Sequence, residues 1–338
     1  MADKVLRIGL IGLGRIGRIH LNTINALDNA VCTEVAVRSA DKARHFGLKF
    51  SRPRTTADYK SVIESSNVDA VVICSSTDSH RDQILHCARL GKPFFCEKPL
   101  AVDFRTGEKM RRAVENTGTF CMMGFHRRFD PEWNRLHKAI SDGQVGQLHM
   151  IHITARDKEP PSLDYAYRSG GLFTDMSVHD FDVARHLVGS DIEEVYAVGR
   201  CHVLPELSKM GDVDTSVVML TFGNNVIGTV SNSRKAVYGQ DQRAEVFGSS
   251  GMIVLENKFY NECSMSSAAG VVRDPPMAGW SDRYILAYKQ EMECFVDCVL
   301  KGLESPCTVT DAQKAAAVAE AAKKSVCLNR PVQVDNIA

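Results

Sequence analysis

The residues best equipped for chemistry lie in the run from Ser169 to Leu187, SGGLFTDMSVHDFDVARHL. Thr174 stands where a helix N-cap belongs, and on a helix Asp175 and His179, four apart, share one face. A carboxylate stacked under an imidazole raises its basicity and fixes its tautomer, as a proton acceptor for a hydroxyl requires. The structural alternative is a helix start that carries acids, Asp180 and Asp182 included, because they suit the positive end of the dipole. No second His or HExxH pattern supports a metal at Asp175, His179 and Asp180.

The elements needed to position such a pair are legible upstream. Val5 to Ile11 reads as a buried parallel strand, and it runs into Gly12-Leu13-Gly14-Arg15-Ile16-Gly17 and then a helical stretch. GxGxxG between a strand and a helix is the context for dinucleotide binding. Gly12 makes the tight turn, Gly14 admits a pyrophosphate, Gly17 permits close helix packing, and the helix N-terminus supplies amide donors. A second strand, Thr33 to Val37, ends in Arg38-Ser39-Ala40-Asp41. An NAD site places an acid at that point for the ribose hydroxyls, and here Ser39 stands in its place behind Arg38. A guanidinium and a hydroxyl suit a 2′-phosphate, which leans the cofactor towards NADP; with Asp41 on the ribose instead, NAD is the alternative.

Val68 to Cys74 is a further buried strand, followed by a polar turn Ser75-Ser76-Thr77-Asp78-Ser79-His80, a helix over Gln83 to Leu90, and a strand Phe94 to Cys96 that stops at Glu97-Lys98-Pro99. Ligands of an open parallel sheet bind outside the carboxyl ends of its strands, which makes Ser75, Ser76, Thr77, His80, Glu97 and Lys98 cofactor-side candidates. Lys98 is also a candidate donor to a reacting oxygen. Helix Phe104 to Asn116 and strand Phe120 to Met123 complete this alternating half, expected to span residues 1–124. The second domain, 125–338, opens on Gly124-Phe125-His126-Arg127-Arg128-Phe129, where Arg127 and Arg128 could dock a polyhydroxylated or anionic substrate, the alternative being a pair of solvated arginines near a domain boundary. Beyond Leu187 short strands dominate, at Val195–Val203, Thr215–Phe222, Val226–Asn232, Ala244–Phe247 and Met252–Leu255. Gly223-Asn224-Asn225 marks a hairpin, and amphipathic helices run over Tyr284–Leu300 and Asp311–Leu328. The fold expected is α/β: a doubly wound parallel Rossmann sheet, then an α+β domain with a large open, mostly antiparallel sheet whose outer face serves oligomerisation.

Composition narrows the function classes. Lys plus Arg and Asp plus Glu both number 41, so no basic excess points to a polyanion partner, and nucleic acid is not expected. No apolar run approaches a membrane span, and the chain enters its first strand too soon for a signal peptide. Eleven cysteines without a CxxC pair fit reduced thiols in a cytoplasmic compartment; Cys294 and Cys298, one turn apart, lack the further ligands of a zinc site.

Taken together, GxGxxG, Glu97-Lys98-Pro99 and Asp175-x3-His179 resemble the glucose–fructose oxidoreductase / inositol dehydrogenase (Gfo/Idh/MocA) family over essentially the whole chain. Gly124-Phe-His-Arg-Arg-Phe129, Gly170-Gly171 with the following HDFDVAR, Gly211-Asp-Val-Asp-Thr215, Asn232-Ser-Arg234 and Ala236-Val-Tyr-Gly239 are similar to its inositol 2-dehydrogenases. The resemblance implies an NAD(P)-dependent dehydrogenase of CH–OH groups, assembled as a dimer or tetramer. It also implies Lys98, Asp175 and His179 as the catalytic trio: His179 as base, Asp175 orienting it and holding substrate, Lys98 bonding the reacting oxygen. Arg127, Asp157, Asp175, His179 and Tyr238 could supply a neutral polyol's hydrogen bonds. The missing acid after the second strand leaves other NADP-linked sugar or diol dehydrogenases of the family open. A non-catalytic dinucleotide-binding regulator, or a glycosidase that recycles bound NAD, are further alternatives.

Overall fold

The computed structural model describes residues 5–38 and 53–337. These form two compact units: residues up to Phe129 with Leu286–Gln313, and Asp130–Ile285 with the chain from Lys314 onward.

The first unit is built on six strands, β1 (Leu6–Ile11), β2 (Ala30–Ala36), β3 (Arg54–Thr56), β4 (Ala70–Ile73), β5 (Phe94–Glu97) and β6 (Cys121–Gly124). They are ordered β3-β2-β1-β4-β5-β6 and all pairs are parallel, the doubly wound arrangement expected of strands that read as unbroken apolar runs. Every residue of β4, β5 and β6 is buried, as covering helices on both faces require. The reading of a single crossing near residue 124 differs from the observed packing, because the chain returns. Met292, Phe295 and Val296 of the helix Ile285–Lys301 share one core with Leu6, Ile8, Leu10 and Phe95. Burying that apolar stripe against the sheet is what recruits a late helix to an early domain.

The helix after β4 also differs from expectation. It covers Thr77–Leu90, so the polar turn shrinks to Ser75-Ser76. Ser76 has the extended backbone of an N-cap, its carbonyl accepts from the Ser79 amide, and Asp78 in the first turn favours the helix dipole.

The second unit carries a seven-stranded sheet from β7 (Leu148–Arg156), β8 (Ile192–Arg200), β9 (Thr215–Phe222), β10 (Ile227–Ser233), β11 (Asp241–Gly248), β12 (Gly251–Leu255) and, beyond a small hairpin of β13 (Ser264–Ser267) and β14 (Gly270–Arg273), β15 (Val332–Gln333). The order is β12-β11-β7-β10-β9-β8-β15, antiparallel except that β10 lies parallel to β7. Asn225 takes a left-handed φ of 65° in the hairpin between β9 and β10. Along β9 the alternation is complete: Ser216, Val218, Leu220 and Phe222 face inward, Val217, Met219 and Thr221 outward. The helix Val178–Val188 packs on β7 and on the helix Pro131–Ser141.

Candidate active site

In the first unit the glycine turn fits a dinucleotide, and the reason differs at each glycine. Gly12 has φ +95°, and a Cβ there would lie 2.6 Å from the Cys74 carbonyl oxygen. At Gly17 a Cβ would stand 2.2 Å from the Gly12 carbonyl, so the helix can sit this close to β1 only without a side chain. Gly14 has nothing within 4 Å of its Cβ position and caps the helix Arg15–Ile24, whose first-turn amides have no acceptor within the helix itself. Arg15 is exposed and Ile16 half-buried at this first turn. The turn thus has the two properties a pyrophosphate site needs: a backbone that no Cβ obstructs, and a helix N-terminus directly behind it.

Around it, Arg38 Nη2 donates to Ser76 Oγ at 3.0 Å and to Ser79 Oγ at 3.2 Å, joining the ends of β2 and β4. Ser39, expected beside it, lies outside the described residues, as does Asp41. Ser75 Oγ donates to Gln83 Oε1, and Thr77 opens the following helix. His80 is buried with Nδ1 3.0 Å from the Pro99 carbonyl and Nε2 3.3 Å from the Ser75 carbonyl. Burial pushes the imidazole below its usual value, against the pull of those carbonyls. His80 therefore packs between the Ser75 turn and the Lys98-Pro99 turn and, with one N–H when neutral, donates to one of the two carbonyls at a time. Glu97 is likewise inside the unit, 2.6 Å from His20 Nε2, while Lys98, next along, is half-buried. Glu291 lies with this pair, the three offering ligand atoms within 4.8 Å of one another; the His20–Glu97 separation is that of a hydrogen bond. Arg127 sits buried in the short turn His126–Phe129.

In the second unit, Phe173–Ser177 is a turn of π-helix that leads into the α-helix Val178–Val188. This corrects the expected α-helix capped by Thr174, which instead lies buried within the wide turn. Its entry is set by Gly170 and Gly171, with φ of 84° and 85°, and by Asp212 Oδ1, which accepts from the Leu172 amide at 3.0 Å. A Cβ on Gly171 would meet that carboxylate at 2.6 Å. Wide turns of this kind recur at functional sites because they rotate side chains out of the ordinary α register.

The outcome for the chemistry-bearing residues is specific. From Gly171 to Ala184 every residue is buried except His179, which is half-open. Its Nδ1 is buried. Asp180 and Asp182 are 0% and 1% exposed, so they are not a solvated decoration of a helix start. Asp175 Oδ1 accepts from Tyr165 Oη at 3.1 Å, and Oδ2 from Arg234 Nη1 at 3.0 Å. Asp157 Oδ1 accepts from Gln240 Nε2 at 3.1 Å. Tyr238 donates to Asp241 Oδ2 at 2.6 Å and accepts from Arg156 Nη1 at 3.0 Å.

Sequence reasoning missed Tyr165, Asp212, Asn232 and Arg234 as partners of this segment. Asn232 Nδ2 donates to Asp180 Oδ2 at 2.8 Å, and its Oδ1 accepts from Ser177 Oγ at 2.6 Å. A usable signal existed: Asn232 and Arg234 are two apart at a strand end, so both face one side of the sheet.

A parallel sheet in 3-2-1-4-5-6 order with a glycine turn at the end of its first strand defines a dinucleotide-binding domain. Comparison with known proteins gives the particular group: residues 6–125 match the oxidoreductase family with NAD-binding Rossmann fold, and residues 133–254 match the GFO/IDH/MocA C-terminal domain. The chain belongs to the Gfo/Idh/MocA family. It is 38% identical to the myo-inositol 2-dehydrogenase of Thermotoga maritima over 98% of this chain and 99% of that one. It is 37% identical to the inositol 2-dehydrogenase of Rhizobium meliloti over 97% and 99%. The crystal structure of the scyllo-inositol dehydrogenase of Lactobacillus casei with bound NAD(H) and scyllo-inositol superposes with a TM-score of 0.89 at 26% identity, covering 98% of this chain and all of that one. Among the described residues no helix is long and apolar enough to cross a membrane.

Proposed function

We propose that this enzyme oxidises one carbinol of a cyclitol, with myo-inositol as the reference substrate. The observation that carries the reading is His179, the one half-open side chain between Gly171 and Ala184, in a chain that aligns over 98% of its length with a myo-inositol 2-dehydrogenase. The bound nicotinamide supplies the hydride acceptor. His179 takes the hydroxyl proton at Nε2, the ring nitrogen opposite the buried Nδ1. Asp175 accepts hydrogen bonds from substrate hydroxyls, and Lys98 donates to the oxygen that becomes a carbonyl. Arg127, Asp157 and Tyr238 complete the polar surround of a neutral polyol. Gly12, Gly14, Arg15, Ile16 and Gly17 hold the pyrophosphate, and Ser75, Ser76 and Thr77 border the dinucleotide. Arg38, with its guanidinium on Ser76 and Ser79, supports acceptance of NADP as well as NAD. The outward face of the second sheet carries exposed Val217, Met219, Phe247 and Met252, which supports a homo-oligomer built across it. Eleven free thiols support a cytoplasmic location.

The test is absorbance of reduced nicotinamide with a panel of inositols and aldoses, using NAD and NADP separately. His179→Ala should lower turnover of the best substrate by about 10²- to 10⁴-fold, the scale of a positioned acid–base group, with dinucleotide affinity kept. Lys98→Ala should also lose turnover. Absence of any cyclitol oxidation, or a His179→Ala enzyme at wild-type rate, refutes the reading.

A further inference from the structure

Asp175 and Arg234 form an ion pair of 3.0 Å inside the second unit, with side chains 9% and 3% exposed. Arg234 follows β10 directly, and its amide donates to the Asp214 carbonyl at 2.8 Å, so its backbone is fixed by the sheet rather than by a loop. Asn232, on the same side of the strand, holds Ser177 and Asp180. Two alternate side chains of one strand end thus grip the π-turn at Asp175 and Ser177 and the helix after it at Asp180. Arg234 uses Nη1 alone; Nε and Nη2 are buried without a hydrogen-bond partner. Such a guanidinium is poorly satisfied on its own account, so its place in the fold is explained by the charge it brings to Asp175.

We propose that Arg234 is a positioning residue that sets substrate class by keeping Asp175 ionised and in one orientation. A buried carboxylate without a cation tends to protonate, and it would then donate as well as accept. Paired with Arg234 it stays acceptor-only. Tyr165 and Arg234 donate to different oxygens, which fixes the plane of the carboxylate. An acceptor-only carboxylate suits the hydroxyls of a neutral polyol, and it repels a carboxylate or phosphate in the same place. The proposal rests on the reading of Asp175 as a substrate-facing group.

The experiment is a double-mutant cycle on the full chain, with Arg234→Met, Asp175→Asn and the pair, plus Arg234→Lys, each checked for folding by near-UV circular dichroism and melting. KM and kcat are read with myo-inositol at saturating dinucleotide. Arg234→Met should raise KM by at least about tenfold with a smaller fall in kcat, and leave dinucleotide affinity within about twofold. The double variant should be no worse than Arg234→Met, because both changes remove one shared interaction. Arg234→Lys, which keeps the cation and loses the fork, should stay nearer the wild-type KM than Asp175→Asn does. Multiplying losses in the cycle, a folded Arg234→Met with wild-type constants, or an Arg234→Lys as impaired as Asp175→Asn would each overturn the proposal. Should Arg234→Met not fold, the lysine comparison decides. An Asp175→Asn enzyme with unchanged KM and kcat is a different failure: it removes Asp175 from the substrate site and the proposal with it.

Discussion

His20 Nε2 and Glu97 Oε1 meet at 2.6 Å in the interior of the first unit, where His20 has no exposed surface. The imidazole projects from the helix that begins at the glycine turn, and the carboxylate ends β5 one residue before Lys98. One hydrogen bond therefore joins the pyrophosphate-side helix to the strand end that bears the proposed donor. Phe95 and Tyr288 pack edge-on to the same ring, at centroid distances of 5.1 and 5.7 Å, and keep water from substituting for either partner.

His20→Leu should consequently cost more than its change in volume. It would strand a buried carboxylate, a loss of about 1–3 kcal/mol. Urea unfolding should show a lowered midpoint with unchanged slope, and Glu97→Gln should recover part of the loss in the His20→Leu background. Equal midpoints for wild type and His20→Leu would show that the bond carries no net stability.

The glycine turn allows fold and ligand effects to be separated. Gly17→Ala forces a Cβ against the Gly12 carbonyl at 2.2 Å, so both stability and dinucleotide binding should fall. Gly14→Ala meets no protein atom within 4 Å, so melting should be unchanged. Its methyl would stand where the pyrophosphate approaches, and dinucleotide Kd should rise by about tenfold or more, the worth of one or two lost amide bonds to phosphate. A Gly14→Ala protein that binds dinucleotide normally would place the phosphates elsewhere.

Cofactor choice is tested at Arg38. Removing its guanidinium should lower kcat/KM for NADP by about 10- to 100-fold, the range of a charge-assisted bond to phosphate, while NAD changes little. The companion Ser39→Asp variant should weaken NADP further through repulsion of a 2′-phosphate. Wild-type protein that uses NAD far more efficiently than NADP would show that Arg38 serves only Ser76 and Ser79.

The legible parts of this chain are those governed by local pattern. Gly12, Gly14 and Gly17 between a strand and a helix announce the turn because a side chain at Gly12 or Gly17 would strike the backbone and one at Gly14 would stand where a ligand approaches, and the buried parallel strands are continuous apolar runs. What stayed hidden depends on distant partners. The helix Ile285–Lys301 has an ordinary amphipathic pattern, and nothing local says that Phe295 belongs with Phe95. The parallel pairing of β10 with β7 was equally silent, since a strand's residues do not encode the direction of its neighbour. The π-turn at Phe173–Ser177 was read as α because Asp175 and His179 have α spacing; Asp212, Asn232 and Arg234, 40 to 59 positions from the residues they bond, hold Leu172, Ser177 and Asp175.

The last prediction concerns acid stability of the second unit. Asp214 has no exposed surface and accepts from the amides of His202, Val203 and Leu204 at 2.9, 2.8 and 2.7 Å, and from Thr215 Oγ at 2.9 Å. Burial alone would raise its pKa, but the amides of Leu204, His202 and Val203 together with Thr215 outweigh it and bring the group below the ordinary carboxylate value. Asp241 is depressed in the same way, burial being outweighed by Arg243, Tyr238 and Asn257. Because the unfolded chain binds these protons at about pH 3.9 and the folded chain only at lower pH, the stabilisation is complete above that value. It disappears as pH falls through the folded pKa. Asp214→Asn puts an amide where four donors converge, and should cost about 1–3 kcal/mol at pH 7. The gap between wild type and variant, followed by urea midpoints from pH 7 down to pH 3, should narrow below about pH 4. A gap that stays constant across that range would mean that the loop from His202 to Leu204 is held by shape and not by the charge of Asp214.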